Sequence, residues 1–449
     1  MQDYRNLAAE LVAAFRKQGA DACDVYIVNS SEFNTDVRLG KIEKLEQSIS
    51  KGLGLRIIKN NATALTFTTD FADKSVKNLV NDTLEIVKIS SADQYNGLAP
   101  KEFLGVYDGK LQLFDDSLAG LAPARKIEMA KEMEDAGMKF DKRITNTEGS
   151  NWYDATRQLT LANSDGFTGQ YKSTVASLSV SLLAEENGVK QTDYWYSFNR
   201  FVNRLDSPKS IGEEAARRVT RKLGGRKVKS QKVPIVLDPL VSRRLVGMVF
   251  GAASGRSIYR RSSFLVDKVG SEIASPLVQI IDDATMGDGP SCRPFDAEGV
   301  RSSRVTVVEK GVLKTFVCDA YAARRLNLKP TGNAPRSYQS LPSVGSTNLY
   351  MAAGASDPKE IIKSVKNGLY INALFGQGAN GVTGDISQGA AGFWIENGEL
   401  TYPVQEITLA GNALTLLKNI TMVGNDLTFK FGGTAAPTLL ISEATVGGA

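Results

Sequence analysis

The sequence predicts an α+β protein, with an N-terminal α/β region over residues 1–228 followed by a β-rich C-terminal domain over residues 229–449. Three observations predict it. An early segment carries apolar residues at helical spacing at both ends and at strand-like spacing between them. That helix, strands, helix order recurs once before residue 228, and after Pro234 glycine-rich turns multiply between short strand-like runs. At 449 residues the chain is long enough for two or three domains, each with its own core.

The elements follow in order. Ala8, Leu11, Val12 and Phe15 form an i, i+3, i+4, i+7 stripe that predicts a helix stopping at Gly19. Strand-like runs follow at 24–28, 35–47 and 52–68, the last two separated by a turn at Ser50-Lys51-Gly52. Val76, Leu79, Val80, Leu84 and Val87 share one face of a helix predicted over 74–88. Residues 96–121, with Pro100 and several Gly and Asp, read as a connector. A helix over 124–138, strands over 152–198 broken at Ser164-Asp165-Gly166 and Glu186-Asn187-Gly188, and a helix over 210–223 complete the region. The recurrence suggests two α+β units, 1–95 and 115–228, although no residue-level repeat joins them. Gly224-Gly225 marks the boundary.

Beyond it, strands are expected at 304–308, 393–395 and 438–441, and helices at 241–251 and 358–366. Asn397-Gly398, between Phe393-Trp394-Ile395 and Leu400-Thr401-Tyr402, signals a hairpin because both turn positions need positive φ.

Composition narrows the chemistry. The chain has no histidine, so no Ser-His-Asp or Cys-His pair, no HExxH zinc site and no imidazole proton shuttle can be built from it alone. Cys23, Cys292 and Cys318 are odd in number, far apart and without a CxxC pair, which reads as three free core thiols in a reducing compartment. The N-terminus opens onto a helix without a signal-peptide core, and no apolar run approaches the roughly 18 residues of a membrane span. A cytoplasmic chain that avoids membranes is expected. A net charge of +5 is too small over this surface to imply nucleic acid.

Several local patterns have a bland reading that outweighs the chemical one. Gly376-x-Gly378-x-x-Gly381 matches a dinucleotide fingerprint, but Val382-Thr383-Gly384-Asp385 does not start a helix, so a backbone-driven turn is expected. Ser48-x-x-Lys51 is placed at a strand turn and Ser356-x-x-Lys359 at a helix N-cap, where Ser is expected for capping alone. The basic run from Arg217 to Lys232 lacks interleaved aromatics and reads as a solvated helix and linker. Asp282, Asp283, Asp288 and Asp296, without a His or Cys beside them, read as a polar loop rather than a metal site.

The last third then becomes recognisable. Gly368-Leu369-Tyr370-Ile371, Thr383-Gly384-Asp385-Ile386-Ser387, the Gly389-to-Gly398 stretch, Tyr402-Pro403-Val404, Ile407-to-Asn412 and Val423-Gly424-Asn425-Asp426 resemble the TldD/PmbA family, the modulators of DNA gyrase. Ser257-to-Leu265, Pro294-to-Val300 and the opening helix and strands through Leu65 fit the same pattern, so the resemblance covers nearly the whole chain. It implies two kinds of subunit. A TldD-like kind carries an HExxxH helix and a distal Cys that bind a catalytic metal for proteolysis. A PmbA (TldE) kind lacks those ligands and pairs with the first around a peptide-cutting cavity.

At the place of that helix this chain reads Leu245-Val246-Gly247-Met248-Val249-Phe250-Gly251, so Leu245, Val246, Phe250 and Gly251 stand as degenerate metal-helix positions. At the place of the Cys it reads Phe431-to-Pro437, without sulfur. The resemblance therefore implies a PmbA-like subunit with no catalytic residue and no metal of its own, zinc or a similar ion being expected only in a TldD-like partner. The partner would be that chain in a heterodimer, or a second copy in a homodimer, and the substrate a peptide or unfolded protein. Gly376, Gly378, Thr383, Gly384, Asp385 and Ser387 are the candidate cavity loop. The other reading the residues leave open is a homodimeric regulatory or binding protein of the gyrase-modulator type without proteolytic activity.

Overall fold

The structure, a computed structural model, describes residues 2–448. Its first half runs α1 (Arg5–Lys17), β1 (Ala22–Arg38), β2 (Lys41–Lys59), β3 (Ala62–Thr68), α2 (Asp73–Ile89), a connector holding the short α3 (Asp116–Gly120), α4 (Pro123–Phe140), β4 (Ile144–Asn163), β5 (Thr168–Glu186), β6 (Val189–Asn199) and α5 (Pro208–Thr220). The six strands form one antiparallel sheet of order β3-β2-β1-β4-β5-β6. The helix, strands, helix order does recur, and both runs of three strands share that sheet. Their first strands, β1 and β4, pair at its centre from Asp24↔Asn163 to Val37↔Ser150.

Alternation along the strands sets the two faces. Cys23, Val25 and Ile27 of β1 pack with Leu11, Phe15, Val76 and Val80 of α1 and α2. Phe33, on the same face, joins Met133, Trp152, Ile211 and Val219 under α4 and α5. The opposite face puts Tyr26, Leu161 and Phe167 against Phe295 and Ala297 of the second half.

The early strand boundaries differ from expectation. The breaks fall at Leu39-Gly40 and Asn60-Asn61, all four with positive φ, and the predicted turn at Ser50-Lys51-Gly52 lies inside β2. Tight two-residue hairpins need that backbone. Asn60-Asn61 carries the signal in its side chains, whereas Leu39 gives none. The strand expected from residue 152 begins at Ile144, because register shifts at 144/146 and 147/149 disturb the alternation that would reveal it. Around α5, Ser207 accepts from the Ser210 N–H and Pro208 opens the first turn, so the helix starts and ends earlier than 210–223.

The second half runs β7 (Gln231–Leu237), α6 (Pro239–Ala252), α7 (Gly255–Tyr259), β8 (Ile280–Asp283), β9 (Arg304–Glu309), β10 (Val312–Leu313), α8 (Ala320–Leu326), β11 (Leu349–Met351), α9 (Pro358–Lys363), β12 (Asn367–Phe375), β13 (Asp385–Glu396), β14 (Glu399–Asn412), α10 (Ala413–Lys418), β15 (Ile420–Val423), β16 (Thr434–Ala435) and β17 (Leu439–Gly447). Asn397-Gly398 is the hairpin turn between β13 and β14, with φ of 50° and 83°. One sheet has the order β14-β13-β12-β7-β17-β15, and β14 also pairs with β17 through Thr408↔Gly447 to Ala410↔Thr445. That extra pairing closes β14, β13, β12, β7 and β17 into a ring. The smaller sheet, β10-β9-β8-β11-β16, lies across α6, which packs on β7 and β12 of the ring and on β11 and β16. The strand-rich second half and the layered first half together are the predicted α+β mixture. Among the described residues no helix is long and apolar enough to cross a membrane.

Candidate functional site

The site is built on α6. Asp238 caps it, accepting the Leu240 N–H, and Pro239 supplies the first turn. The cap is itself anchored: the Tyr370 hydroxyl donates to Asp238 Oδ2 at 2.6 Å. Burial pushes the Asp238 carboxyl above its ordinary pKa despite the bonds from Tyr370 and Leu240 that favour the anion. Ser242 fixes the first turn by donating to Pro437 O at 2.7 Å. Leu245, Val246, Val249 and Phe250 are buried, so the helix is held by apolar packing along most of its length.

A cavity of about 380 Å³ opens beside α6. Arg244, Leu245, Met248, Gly251 and Ala252 form its helical wall, an i, i+1, i+4, i+7, i+8 set. Leu237, Val241, Leu374, Leu409 and Leu416 add an apolar floor, and Ala379, Gly381, Ile386 and Gln388 close the far side. Of the four degenerate positions, Leu245 and Gly251 face this space; Val246 and Phe250 point into the core. A Cβ on Gly251 would meet nothing within 4 Å, so that glycine leaves the cavity wall open.

The far wall is the loop between β12 and β13. The six loop residues named from the sequence hold its shape rather than line the cavity. Gly376 and Gly384 have φ of +72° and +82°, and a Cβ on Gly378 would fall 1.8 Å from Ser387 O. The Ser387 N–H donates to Gly378 O at 2.6 Å. Asp385 accepts from the Thr383 hydroxyl at 2.7 Å and from Asn412 Nδ2 at 3.0 Å, bonds that hold its carboxyl below the ordinary range. Their neighbours Ala379, Gly381, Ile386 and Gln388 face the cavity, and alternation from the first residue of β13 could have selected Ile386 and Gln388.

The wall offers a ligand one charge and little polarity. Among the described residues Arg244 is its only charged residue and makes no ion pair or side-chain hydrogen bond; the Ser257 and Ser262 hydroxyls donate to the backbone at Gly251 O and Ser257 O. No imidazole, thiol or carboxylate lines the cavity, so these residues do not fit a zinc ion, which takes three such protein ligands at a catalytic site. Among the described residues no group of three or more His, Cys, Asp or Glu could hold a metal. What the arrangement can do is receive an apolar group beside a cation.

The other patterns fall apart as sites. Ser48 and Lys51 lie inside β2 three residues apart, on opposite faces, so they form no dyad and no turn. The cap of α9 is Asp357, accepting the Lys359 N–H, and Ser356 lies one residue outside it. Gly376-x-Gly378-x-x-Gly381 leads into β13 and opens no helix. The basic run is taken up within the fold: Lys222 pairs with Asp193 at 2.9 Å, and Arg218, Arg221 and Arg226 cover the rings of Trp195, Phe393 and Tyr402. Those aromatics come from β6, β13 and β14, which is why the linear sequence shows none interleaved.

The acidic residues do not form one polar loop. Asp288 is exposed and pairs with Arg204, but Asp282 and Asp296 are buried anchors. Asp282 accepts from Thr347 and Asn333, and Asp296 accepts the N–H groups of Glu298, Val300 and Ala334. All three cysteines are buried, and burial raises Cys23 and Cys318 to about 12, so none is a nucleophile at neutral pH.

Sequence reasoning missed the junction between the two halves. Asp24 of β1 accepts from Arg56 Nε at 2.7 Å and from Arg336 at 2.7 Å, all three side chains buried. Burial pushes the Asp24 carboxyl up, but the two guanidinium groups outweigh it and hold it below the ordinary value. Close by, burial and the neighbouring Asp296 push Glu298 up to about 8. A charged residue inside a strand gives no linear signal of the partner that neutralises it.

Known proteins match across this architecture. The PmbA/TldA metallopeptidase family matches by its domain 1 at residues 23–87, its central domain at 116–223 and its C-terminal domain at 230–448. The chain is 35% identical to the metalloprotease PmbA of Escherichia coli over 91% of its own length and 88% of the relative's. It is 27% identical to a metalloprotease TldD homolog of Haemophilus influenzae, over 95% of its own length and 93% of the relative's. A crystal structure of a proposed modulator of DNA gyrase from Bacteroides thetaiotaomicron superposes with a TM-score of 0.92 at 30% identity, covering both chains completely.

Proposed function

The chain belongs to the PmbA/TldD family of metallopeptidases, and on that premise we propose that it is the subunit that shapes a peptide-processing cavity without holding the metal. The observation that carries the reading is the wall of α6: the cavity persists at the degenerate helix, but leucine, methionine and glycine line it and the chain has no histidine anywhere. The higher identity to a relative named PmbA than to one named TldD supports the same branch. In this reading a His-bearing chain of the same family supplies the metal and the hydrolytic step. This chain contributes wall, floor and the Arg244 cation to an enclosed space for an extended peptide, in a reducing cytoplasm where three buried thiols stay free.

The test is co-expression with a sibling that carries HExxxH, followed by affinity capture, metal analysis and a peptide-cleavage assay. The pair is expected to hold zinc and cut peptides, and the isolated chain to do neither. Stoichiometric zinc with chelator-sensitive cleavage by the isolated chain would overturn the reading. A sibling that never co-purifies would favour a homodimeric regulatory protein instead.

A further inference from the structure

A second cavity, of about 440 Å³, opens where the two halves of the chain meet. Arg56 and Asp93 line it from the first half, and Arg256, Arg260, Glu298 and Arg324 from the second. The short helix α7 stands between it and the cavity beside α6: Ser257 lines that space and Arg256 this one.

Its charges do not balance. Arg56 shares Asp24 with Arg336, and Arg256 Nε donates to Asp319 at 2.8 Å. Asp93 is taken by Arg325 at 2.9 Å and by the Tyr321 hydroxyl at 2.7 Å. Arg324 has no carboxylate; it donates to Tyr95 O at 2.6 Å, Leu98 O at 2.8 Å and Gly97 O at 3.0 Å, bonds that fix its orientation and leave its charge. Arg260 is exposed and, among the described residues, makes no ion pair or hydrogen bond; its guanidinium stands 5.5 Å from the Tyr259 ring.

Glu298 adds no negative charge at neutral pH, since burial and the neighbouring Asp296 push it up to about 8. Its Oε2 accepts the Ala320 N–H at 2.7 Å, while Oε1 makes no hydrogen bond in a residue only 4% exposed. Six guanidinium groups, those of Arg56, Arg256, Arg260, Arg324, Arg325 and Arg336, are thus set against the three carboxylates of Asp24, Asp93 and Asp319. That excess is gathered at one recess, where it attracts an anion far more than the same charge spread over a surface.

We propose that this cavity binds the phosphate group of a small phosphorylated molecule, with Arg256, Arg260 and Arg324 facing the ligand. Arg56 and Glu298 form the floor and belong to the junction. A single carboxylate would cancel one unit of the excess, whereas a phosphate monoester brings nearly two and three acceptor oxygens suited to guanidinium forks. Thr63, Ser91 and Asn96, also on the wall, offer hydroxyl and amide groups to the rest of the molecule. Because both halves touch the ligand, binding braces the junction. The site lies outside the α6 cavity and goes beyond the function proposed above.

The test uses the full chain and glycerol 3-phosphate at up to millimolar concentration, with glycerol and acetate as controls. Calorimetry at pH 7 is expected to show one-to-one binding of the ester, at least about tenfold weaker binding of either control, and a thermal midpoint raised by the ester alone. Arg260→Gln, at an exposed and unpaired position, should leave the ligand-free melt unchanged and weaken binding about tenfold. Arg261→Gln, which removes a neighbouring charge outside the cavity, should bind as the wild type does. Between pH 7 and 9 the ester stays dianionic and the arginines stay charged. Glu298, set among Arg56, Arg324, Asp296 and Asp319, loses its proton there, so affinity should fall, and Glu298→Gln should remove the fall. No binding of the ester, acetate binding as tightly, an unchanged affinity in Arg260→Gln, or an equal loss in Arg261→Gln would each overturn the proposal. None of these readouts involves the sibling chain, so this site and the function proposed above can fail separately.

Discussion

The cavity beside α6 and the junction where β1 and β2 meet the second half are built from opposite materials. The cavity has one charged residue, Arg244, which is exposed and unpaired, among aliphatic walls. The junction buries the side chains of Asp24, Arg56, Arg336, Asp296 and Glu298 almost completely. In this chain, then, dense buried charge lies where the two halves are held together, and the cavity beside α6 is nearly free of it. Perturbed ionisable groups point toward functional sites only as a probability, and here geometry accounts for them as architecture.

The largest effect that could break this contrast is Asp24→Ala. It leaves two buried guanidinium groups without their carboxylate, and a loss of about 3–5 kcal/mol in urea unfolding is expected. A loss below about 1 kcal/mol would mean that the junction is not charge-dependent. A smaller effect sharpens the same region through pH. Glu298 holds its proton up to about pH 8 in the fold, against 4.5 as the ordinary value, because of burial and the nearby Asp296. The folded chain therefore binds more protons than the unfolded one across that window. Stability should fall as pH rises from 4.5 to about 8, by at most about 1.4 kcal/mol per pH unit. Glu298→Gln, which can still accept the Ala320 N–H, should flatten the slope; an unchanged profile would show that Glu298 does not titrate as placed. The smallest effect belongs to the cavity: Arg244→Gln should change unfolding free energy by no more than about 0.5 kcal/mol, since the side chain is exposed and unpaired. A larger loss would show that Arg244 holds the fold rather than awaits a ligand.

How much was legible follows from the same contrast. Helices with one apolar stripe, such as Ala8 to Phe15, could be read because burial imposes their period on the sequence. Ser164-Asp165-Gly166 and Asn187-Gly188 could be read because positive φ selects the residue type. The turn at Leu39-Gly40 could not, since leucine is there despite its backbone. Nor could ring closure through β14 and β17, which joins strands distant in sequence by three residue pairs. For the site, the helix at 241–251 was legible and so was the glycine-rich turn segment after β12. Of the residues facing the cavity, Ile386 and Gln388 follow from the alternation of β13, whereas Ala379 and Gly381 lie before the strand, where no period selects them. Asp24 was invisible as an anchor because its partners lie 32 and 312 positions away.

The central pairing of β1 with β4 sets a timetable for the chain as it is made. Asp24 has to wait for Asn163, its partner across the centre of the sheet. At elongation rates of about 5–20 residues per second that gap corresponds to roughly ten seconds during which α1, β1, β2, β3 and α2 exist with the β1 edge open. Until β4 emerges, the long-range pairing at the centre of the sheet cannot form. A nascent chain stalled between residues 95 and 144 would capture that state and expose a strand edge that the finished protein keeps at its centre.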